Sequence, residues 1–198
     1  MFERTPHRLD RIRQVLARRQ PDLAVAVENV HDPHNVFAIL RTCDAAGVLE
    51  VHGIYTIETP PDLRRQGKRS SQGARKWVNW RLHRSLQDGV AAMRARGLRL
   101  WASRLDESAT CLYDLDLTGP VALIFGNEHR GVSDEAAALA DGLFHIPMMG
   151  MAQSLNVSAA AAVALYEALR QRLRAGCYSS PRLGPEDSAR LLDEWSKK

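Results

Sequence analysis

Apolar residues along this chain fall at helical spacing, then at strand spacing, and the two alternate to the end. Leu9, Ile12, Val15 and Leu16 share one helical face, and AVAVENV at 24–30 is a short apolar run with strand character. A helix is expected from Asn35 to Ala46, closed by Gly47, and then a strand at VHGIYTI, 51–57. Residues 58–76, ETPPDLRRQGKRSSQGARK, have no hydrophobic period and read as a mobile basic loop. WVNWRLH, a helix at 85–96 closed by Gly97, LRLWAS, VALIFG, a helix at 133–140, GLFHIPM and an Ala-rich helix from Ser158 continue the alternation. Six strands separated by helices predict an α/β fold built on a mostly parallel sheet covered by helices. The expected organisation is a basic N-terminal helix over 1–20, one core over 21–178, and a tail over 179–198 whose short amphipathic helix carries Leu191, Leu192 and Trp195.

Composition narrows the class. The chain has 198 residues, 45% hydrophobic and 25% charged, which suits one soluble domain with a sizeable core. No apolar stretch is long enough for a membrane span and MFERTPHRLDRIRQ lacks the apolar core of a signal peptide, so a cytoplasmic protein is expected. Cys43, Cys111 and Cys177 are far apart and form no CxxC pair, which argues against a disulfide framework or zinc site. His31, His34 and His129 show no metal-ligand grouping, and no metal is expected.

The net charge is only +4, but arginines come in blocks. One holds Arg4, Arg8, Arg11, Arg13, Arg18 and Arg19, one covers 64–84 with no acid, and one holds Arg170, Arg172, Arg174 and Arg182. Blocks of this kind suit a polyanion such as nucleic acid.

In parallel α/β sheets ligands bind beyond the carboxyl ends of the strands, so the residues that follow strands are the informative ones. Asn29, Asp32, Pro33 and Asn35 form a polar loop leading into a helix, and Arg41 follows amid Val36, Phe37, Ile39 and Leu40, where a partly buried guanidinium should need an anionic partner. Gly126 and Gly131 bracket Asn127, Glu128, His129 and Arg130 before the N-cap pattern Ser133-Asp134-Glu135. After the last strand, Gln153, Ser154, Asn156 and Ser158 precede a helix of small apolar residues, where capping explains one of the four polar side chains.

Taken together, NVHDPHNVFAILRTCDAAG, ALIFGNEHRGVS and IPMMGMAQSLNVSAAAAVALYE resemble the three motifs of the SpoU branch of the SPOUT RNA 2'-O-methyltransferases. The resemblance spans most of residues 24–178 and implies a deep trefoil knot at the C-terminal end of the core. It implies S-adenosylmethionine as cofactor, lined by Ser103, Gly126, Ile146, Met151 and Leu155. The family's catalytic and substrate-positioning residues map onto Asn35, Arg41, Glu128, Ser154 and Asn156. An obligate homodimer packed on the Ala-rich helix is implied as well, as is methyl transfer to the ribose of guanosine 18 in the D-loop of tRNA. The alternatives are an rRNA nucleotide as target or a catalytically silent RNA-binding protein on the same fold.

A ribose hydroxyl is a very weak acid and a guanidinium is a poor base, so Arg41 is expected to stabilise the developing alkoxide and clamp a phosphate rather than remove the proton. Arg8, Arg11, Arg19, Arg170 and Arg172 are expected on tRNA phosphates.

Overall fold

The computed structural model describes residues 6–63 and 73–198. Most of the basic segment expected to be mobile, 64–72, therefore lies outside the described residues, as does Arg4. The elements run α1 (Pro6–Leu16), β1 (Gln20–Glu28), α2 (Pro33–Ala45), β2 (Val48–Ile54), β3 (Asn79–His83), α3 (Leu86–Arg94), β4 (Arg99–Ser103), β5 (Thr110–Cys111), β6 (Val121–Phe125), α4 (Asp134–Leu139), β7 (Gly142–His145), α5 (Val157–Arg174) and α6 (Pro185–Ser196). They form one sheet in the order β3-β2-β1-β6-β4-β7-β5, parallel at every pairing.

The sheet has seven strands rather than the expected six. The extra one, β5, is two residues long and too short to leave any period in the sequence. The first strand also starts earlier, at Gln20, and the second is displaced toward its N-terminus, ending at Ile54 instead of 57. The cause of that early end is Asn29. Its N–H donates to the carbonyl of Ile54, and its Oδ1 accepts from the backbone N–H of Thr56, Ile57 and Glu58 at 3.0, 2.9 and 3.1 Å. Backbone donors that would have continued a ladder are gathered onto one side-chain oxygen, and the chain turns. Asn29 holds this position at φ 50°, in the left-handed region that Asn tolerates better than most residues.

Side chains of β1 alternate between the two faces even though both are covered. Val25 and Val27 pack with α2 and α5 residues such as Phe37, Leu40, Leu165 and Ala168. Ala24 and Ala26 face the opposite way, with Leu86, Val90, Met93 and Ala136 of α3 and α4. Glu28 continues the second alternation, which puts its carboxyl on the α3–α4 side.

The two chain ends close a third apolar cluster. Ile12 and Leu16 of α1 meet Leu191 and Trp195 of α6 over Leu49, and Trp77 packs edge-on to Trp195 at 5.2 Å. The helix expected in the tail thus packs against the N-terminal helix.

Two arginines seal this end of the molecule. Arg19 is fully buried, ion-paired with Asp44, bonded to the carbonyl of Val48 at 3.0 Å, and set 5.2 Å from the Trp195 ring. Arg172, equally buried, donates to the carbonyls of Leu117, Gly119 and Asp22, to Gln20 Oε1 at 3.1 Å and to Asp22 Oδ1 at 2.7 Å. Farther along the sheet, Glu50 is buried among Arg81, Arg96 and His52. Burial alone would raise its pKa, but the bond from His52 and the charges of Arg96, His52 and Arg81 outweigh it and bring the carboxyl down to about 2.

Candidate active site

The carboxyl ends of β1, β4, β6 and β7 meet at one edge of the sheet, and the loops that follow them are tied together by side chains. Asn127 does for the loop after β6 what Asn29 does for the loop after β2. Its Oδ1 accepts from the N–H groups of His129 and Arg130 at 2.9 and 3.1 Å, while its Nδ2 donates to the carbonyl of Asn29 at 2.8 Å. The loop closes on itself through paired backbone bonds between Asn127 and Gly131. Gly126 is required by that closure: a Cβ there would lie 2.0 Å from the carbonyl carbon of Gly131.

Within this frame Glu128 becomes a three-fold acceptor. Its carboxylate takes the N–H of His31 at 2.9 Å, the N–H of Asp32 at 3.0 Å and Asn35 Nδ2 at 2.8 Å. Asn35 Oδ1 in turn accepts from Asn156 Nδ2 at 3.0 Å. Burial pushes the Glu128 pKa up, yet the donors from Asn35, His31 and Asp32 dominate and hold it below the ordinary carboxylate value. Asn156 is at the same time the N-cap of α5, its Oδ1 accepting from the N–H of Ser158 at 2.8 Å. Asp32 caps α2 in the same manner, through the N–H of His34 at 2.8 Å. Three residues far apart in sequence, Glu128, Asn35 and Asn156, thus form one hydrogen-bonded chain joining the loop after β6 to the N-terminal turns of α2 and α5.

A second tie lies at the rim. Glu58 pairs with Arg130 Nη2 at 2.6 Å and with His31 Nδ1 at 3.1 Å, and these two partners hold its carboxyl below the usual range. The sequence assigns a role of its own to neither Asn29 nor Glu58. Only the position of Asn29, directly after an apolar run, hints at a left-handed turn residue.

A cleft of about 840 Å³ opens over this edge of the sheet. Ser103, Gly126, Ile146 and Leu155 line it, as do Glu128 and Ser154. Met151 does not: it is fully exposed on the loop after β7, and Met148 stands in the wall instead. The lining mixes backbone-rich turns at Gly126 and Gly131 with the apolar side chains of Ile146, Leu155 and Val157. A ligand with a flat apolar body and polar ends matches that surface.

Arg41 is placed differently from its expected partners. It is exposed rather than partly buried, and it makes no hydrogen bond or ion pair among the described residues. At 1.5 Å and 100° per residue it stands about 9 Å farther along α2 than Asn35 and about 120° around the helix, so the hydrogen-bonded chain does not include it.

The expectation of phosphate contacts fails for Arg19 and Arg172. Both are fully buried, with guanidinium nitrogens bonded to Asp44, Asp22 and main-chain carbonyls, so neither faces solvent. Arg11 is exposed on α1 and Arg8 is half-buried there. Arg170 is exposed but gripped by Glu167 through Nε at 2.8 Å and Nη2 at 2.6 Å.

Among the described residues there is no cluster of His, Cys, Asp or Glu that could hold a metal ion, and no helix is long and apolar enough to cross a membrane.

A parallel sheet whose ligand cleft is stitched by Asn35, Glu128 and Asn156 is the setting in which comparison with known proteins becomes informative. The family described as the SpoU rRNA Methylase family matches residues 22–166, and the chain belongs to it. It is similar to the tRNA (guanosine(18)-2'-O)-methyltransferase of Thermus thermophilus, 51% identical over 198 residues and covering all of both chains. Among solved structures it is similar to the A. aeolicus TrmH/SpoU tRNA modifying enzyme, with a TM-score of 0.89 and 39% identity over 96% of this chain and 95% of that one. An AdoMet-bound rRNA methyltransferase from Sinorhizobium meliloti matches 80% of this chain and 59% of its own, at 30% identity and a TM-score of 0.69.

Proposed function

We propose that this chain transfers a methyl group from S-adenosylmethionine to the ribose 2'-hydroxyl of guanosine 18 in tRNA, and that it does so as a homodimer. The observation that carries the reading is the Glu128–Asn35–Asn156 chain set against a cleft lined by Ser103, Gly126, Ile146 and Leu155. The full-length similarity to a protein named for guanosine 18 of tRNA supports this substrate over rRNA. The trefoil-knotted path implied by the family resemblance belongs to the same reading. It is supported by the close likeness to the A. aeolicus enzyme and by the return of the chain after β7 to Asn35 at the head of α2.

The cofactor supplies an electrophilic methyl on a sulfonium, so no metal is needed for the transfer. What the protein contributes is position. Glu128 holds the loop after β1 through two backbone N–H groups and orients the Asn35 amide, whose oxygen then orients Asn156. Ser154 borders the same cleft two residues before the α5 cap and can donate to a bound ligand. Fixing two reactants in line can lower a barrier by about 7–11 kcal/mol in favourable cases. Arg41 has a guanidinium whose donors meet no acceptor among the described residues and can serve an RNA phosphate or the oxygen that becomes an alkoxide.

The homodimer is supported by α5. Ala159, Ala162, Tyr166, Leu169 and Leu173 repeat at intervals of three and four along one stripe, and Tyr166 and Leu173 are 53% and 57% exposed. Such a stripe of small and large apolar residues suits close packing against another helix. Exposed Arg11 on α1, Arg18 just after it and the basic segment near Arg75 and Lys76 supply cations for the tRNA backbone.

The test is incubation with radiolabelled S-adenosylmethionine and unmodified tRNA and rRNA transcripts, followed by mapping of the labelled ribose. Label at guanosine 18 is expected. Label confined to rRNA would keep the chemistry and overturn the substrate, and no label on any RNA would favour a silent RNA-binding protein.

A further inference from the structure

Four acids line the cleft, and three of them are held by side chains. Glu128 binds Asn35, Asp134 pairs with Arg104 at 2.6 Å, and Glu135 accepts from Gln87 Nε2 at 2.6 Å. The fourth is Glu28, at the end of β1 on the α3–α4 side of the sheet. It is 5% exposed, and its Oε2 accepts from the N–H of Ser133 at 2.9 Å. No cation and no side-chain donor reaches it among the described residues, although Arg84, Arg104 and Arg130 line the same cleft. Glu28 lines the cleft, and the N–H of Ser133 is the one donor to its carboxylate among the described residues. One N–H donor, with no cationic partner, replaces only part of the hydration that a nearly buried carboxylate loses. The cost is recovered when a ligand brings the missing donor.

We propose that Glu28 is the acceptor for an N–H donor of a bound ligand, in the lobe of the cleft bounded by Ser85, Gln87 and Ser133. This rests on the functional reading above, which offers two sources of that chemistry. One is the α-ammonium of the cofactor's amino-acid end; the other is the amino edge of the target guanine. In both cases the bond is charge-assisted and so stronger than one between neutral groups.

Glu28→Gln is the informative substitution. It keeps an oxygen for the N–H of Ser133 but puts an NH2 where the ligand expects an acceptor. Calorimetric titration of wild-type and E28Q protein would use S-adenosylhomocysteine and 5'-methylthioadenosine, which lacks the amino-acid portion. Methylation of tRNA carrying guanosine or inosine at position 18 would be measured alongside, inosine lacking the exocyclic amine. If the ammonium is the donor, E28Q binds S-adenosylhomocysteine about tenfold or more weakly while 5'-methylthioadenosine binding stays unchanged. If guanine is the donor, S-adenosylhomocysteine binding stays unchanged and the wild-type preference for guanosine over inosine disappears. E28Q matching the wild type in both assays would overturn the assignment and leave Glu28 as a prop for the Ser133 turn. Should E28Q unfold, Glu28→Asp keeps the charge but withdraws it by one methylene, and the same two assays apply to it. Failure of the wild-type protein itself to bind S-adenosylhomocysteine would sink the functional reading and this inference with it.

Discussion

Arg41 and Arg172 are both arginines inside helices, Arg41 alone among apolar neighbours and Arg172 in a basic block with Arg170 and Arg174. In the fold they are opposites. Arg172 is fully buried, with five acceptors around its guanidinium. Arg41 lies in solvent without a partner among the described residues. The first has spent its donors on the protein and the second keeps them for something else. An arginine's part in function is therefore read from which donors remain unengaged, and a block of basic residues in sequence does not separate the two kinds.

The comparison can be broken most forcefully at Arg172. Arg172→Ala should cost about 3–5 kcal/mol of stability in denaturant unfolding, since Asp22 and the carbonyls around it stay buried without donors. A loss under about 1 kcal/mol would mean that the burial carries little of the fold's stability. Arg41→Ala should leave stability within about 0.5 kcal/mol of the wild type. Its methyl transfer, in contrast, should fall by about 10²–10³-fold. Arg41→Lys should recover little of that activity, because a single ammonium cannot replace a planar fork of donors. Near-normal turnover by the lysine variant would remove Arg41 from the chemistry.

Arg81 and Arg96 stand between these extremes, half-exposed around the buried Glu50. Glu50→Gln should cost roughly 2–3 kcal/mol at neutral pH. The wild-type pKa is depressed to about 2. Its contribution is accordingly complete above the unfolded value of about 4.3 and disappears as pH falls toward 2. Unfolding curves across that window should be flatter for E50Q than for the wild type, and equal slopes would refute the assignment. The smallest effect is expected at Arg11. Arg11→Ala should lower the slope of log affinity for tRNA against log salt by about one unit, with unfolding unchanged; an unaltered slope would exclude it from the phosphate contacts.

The layered α/β fold was legible because Val-, Ala- and Leu-rich runs alternate with capped helices. Ser133 caps a helix where the pattern of polar residues put it, and of the four polar residues ahead of the Ala-rich helix the one that caps it is Asn156. Strand ends were less legible, since the end of β2 is set by Asn29, more than twenty residues away in sequence. The cleft residues Ser103, Gly126, Ile146 and Leu155 came from a resemblance of motifs, and periodicity alone would have found none of them. Met151 and the two buried arginines were misplaced for one reason. Residue type states what a side chain can do, while exposure and partners depend on contacts between distant parts of the chain.

Those distances also order events in time. Asn156 meets Asn35 across 121 residues, and Arg172 meets Asp22 across 150. Closing loops of that length costs entropy before any contact compensates for it, and such topologies form slowly. During synthesis the first half of the chain emerges with Asn35 and Glu28 in place, yet its cleft lacks a wall until residues beyond Asn156 have left the ribosome. A nascent chain therefore has no working cleft until the loop after β7 and the first turns of α5 close its wall.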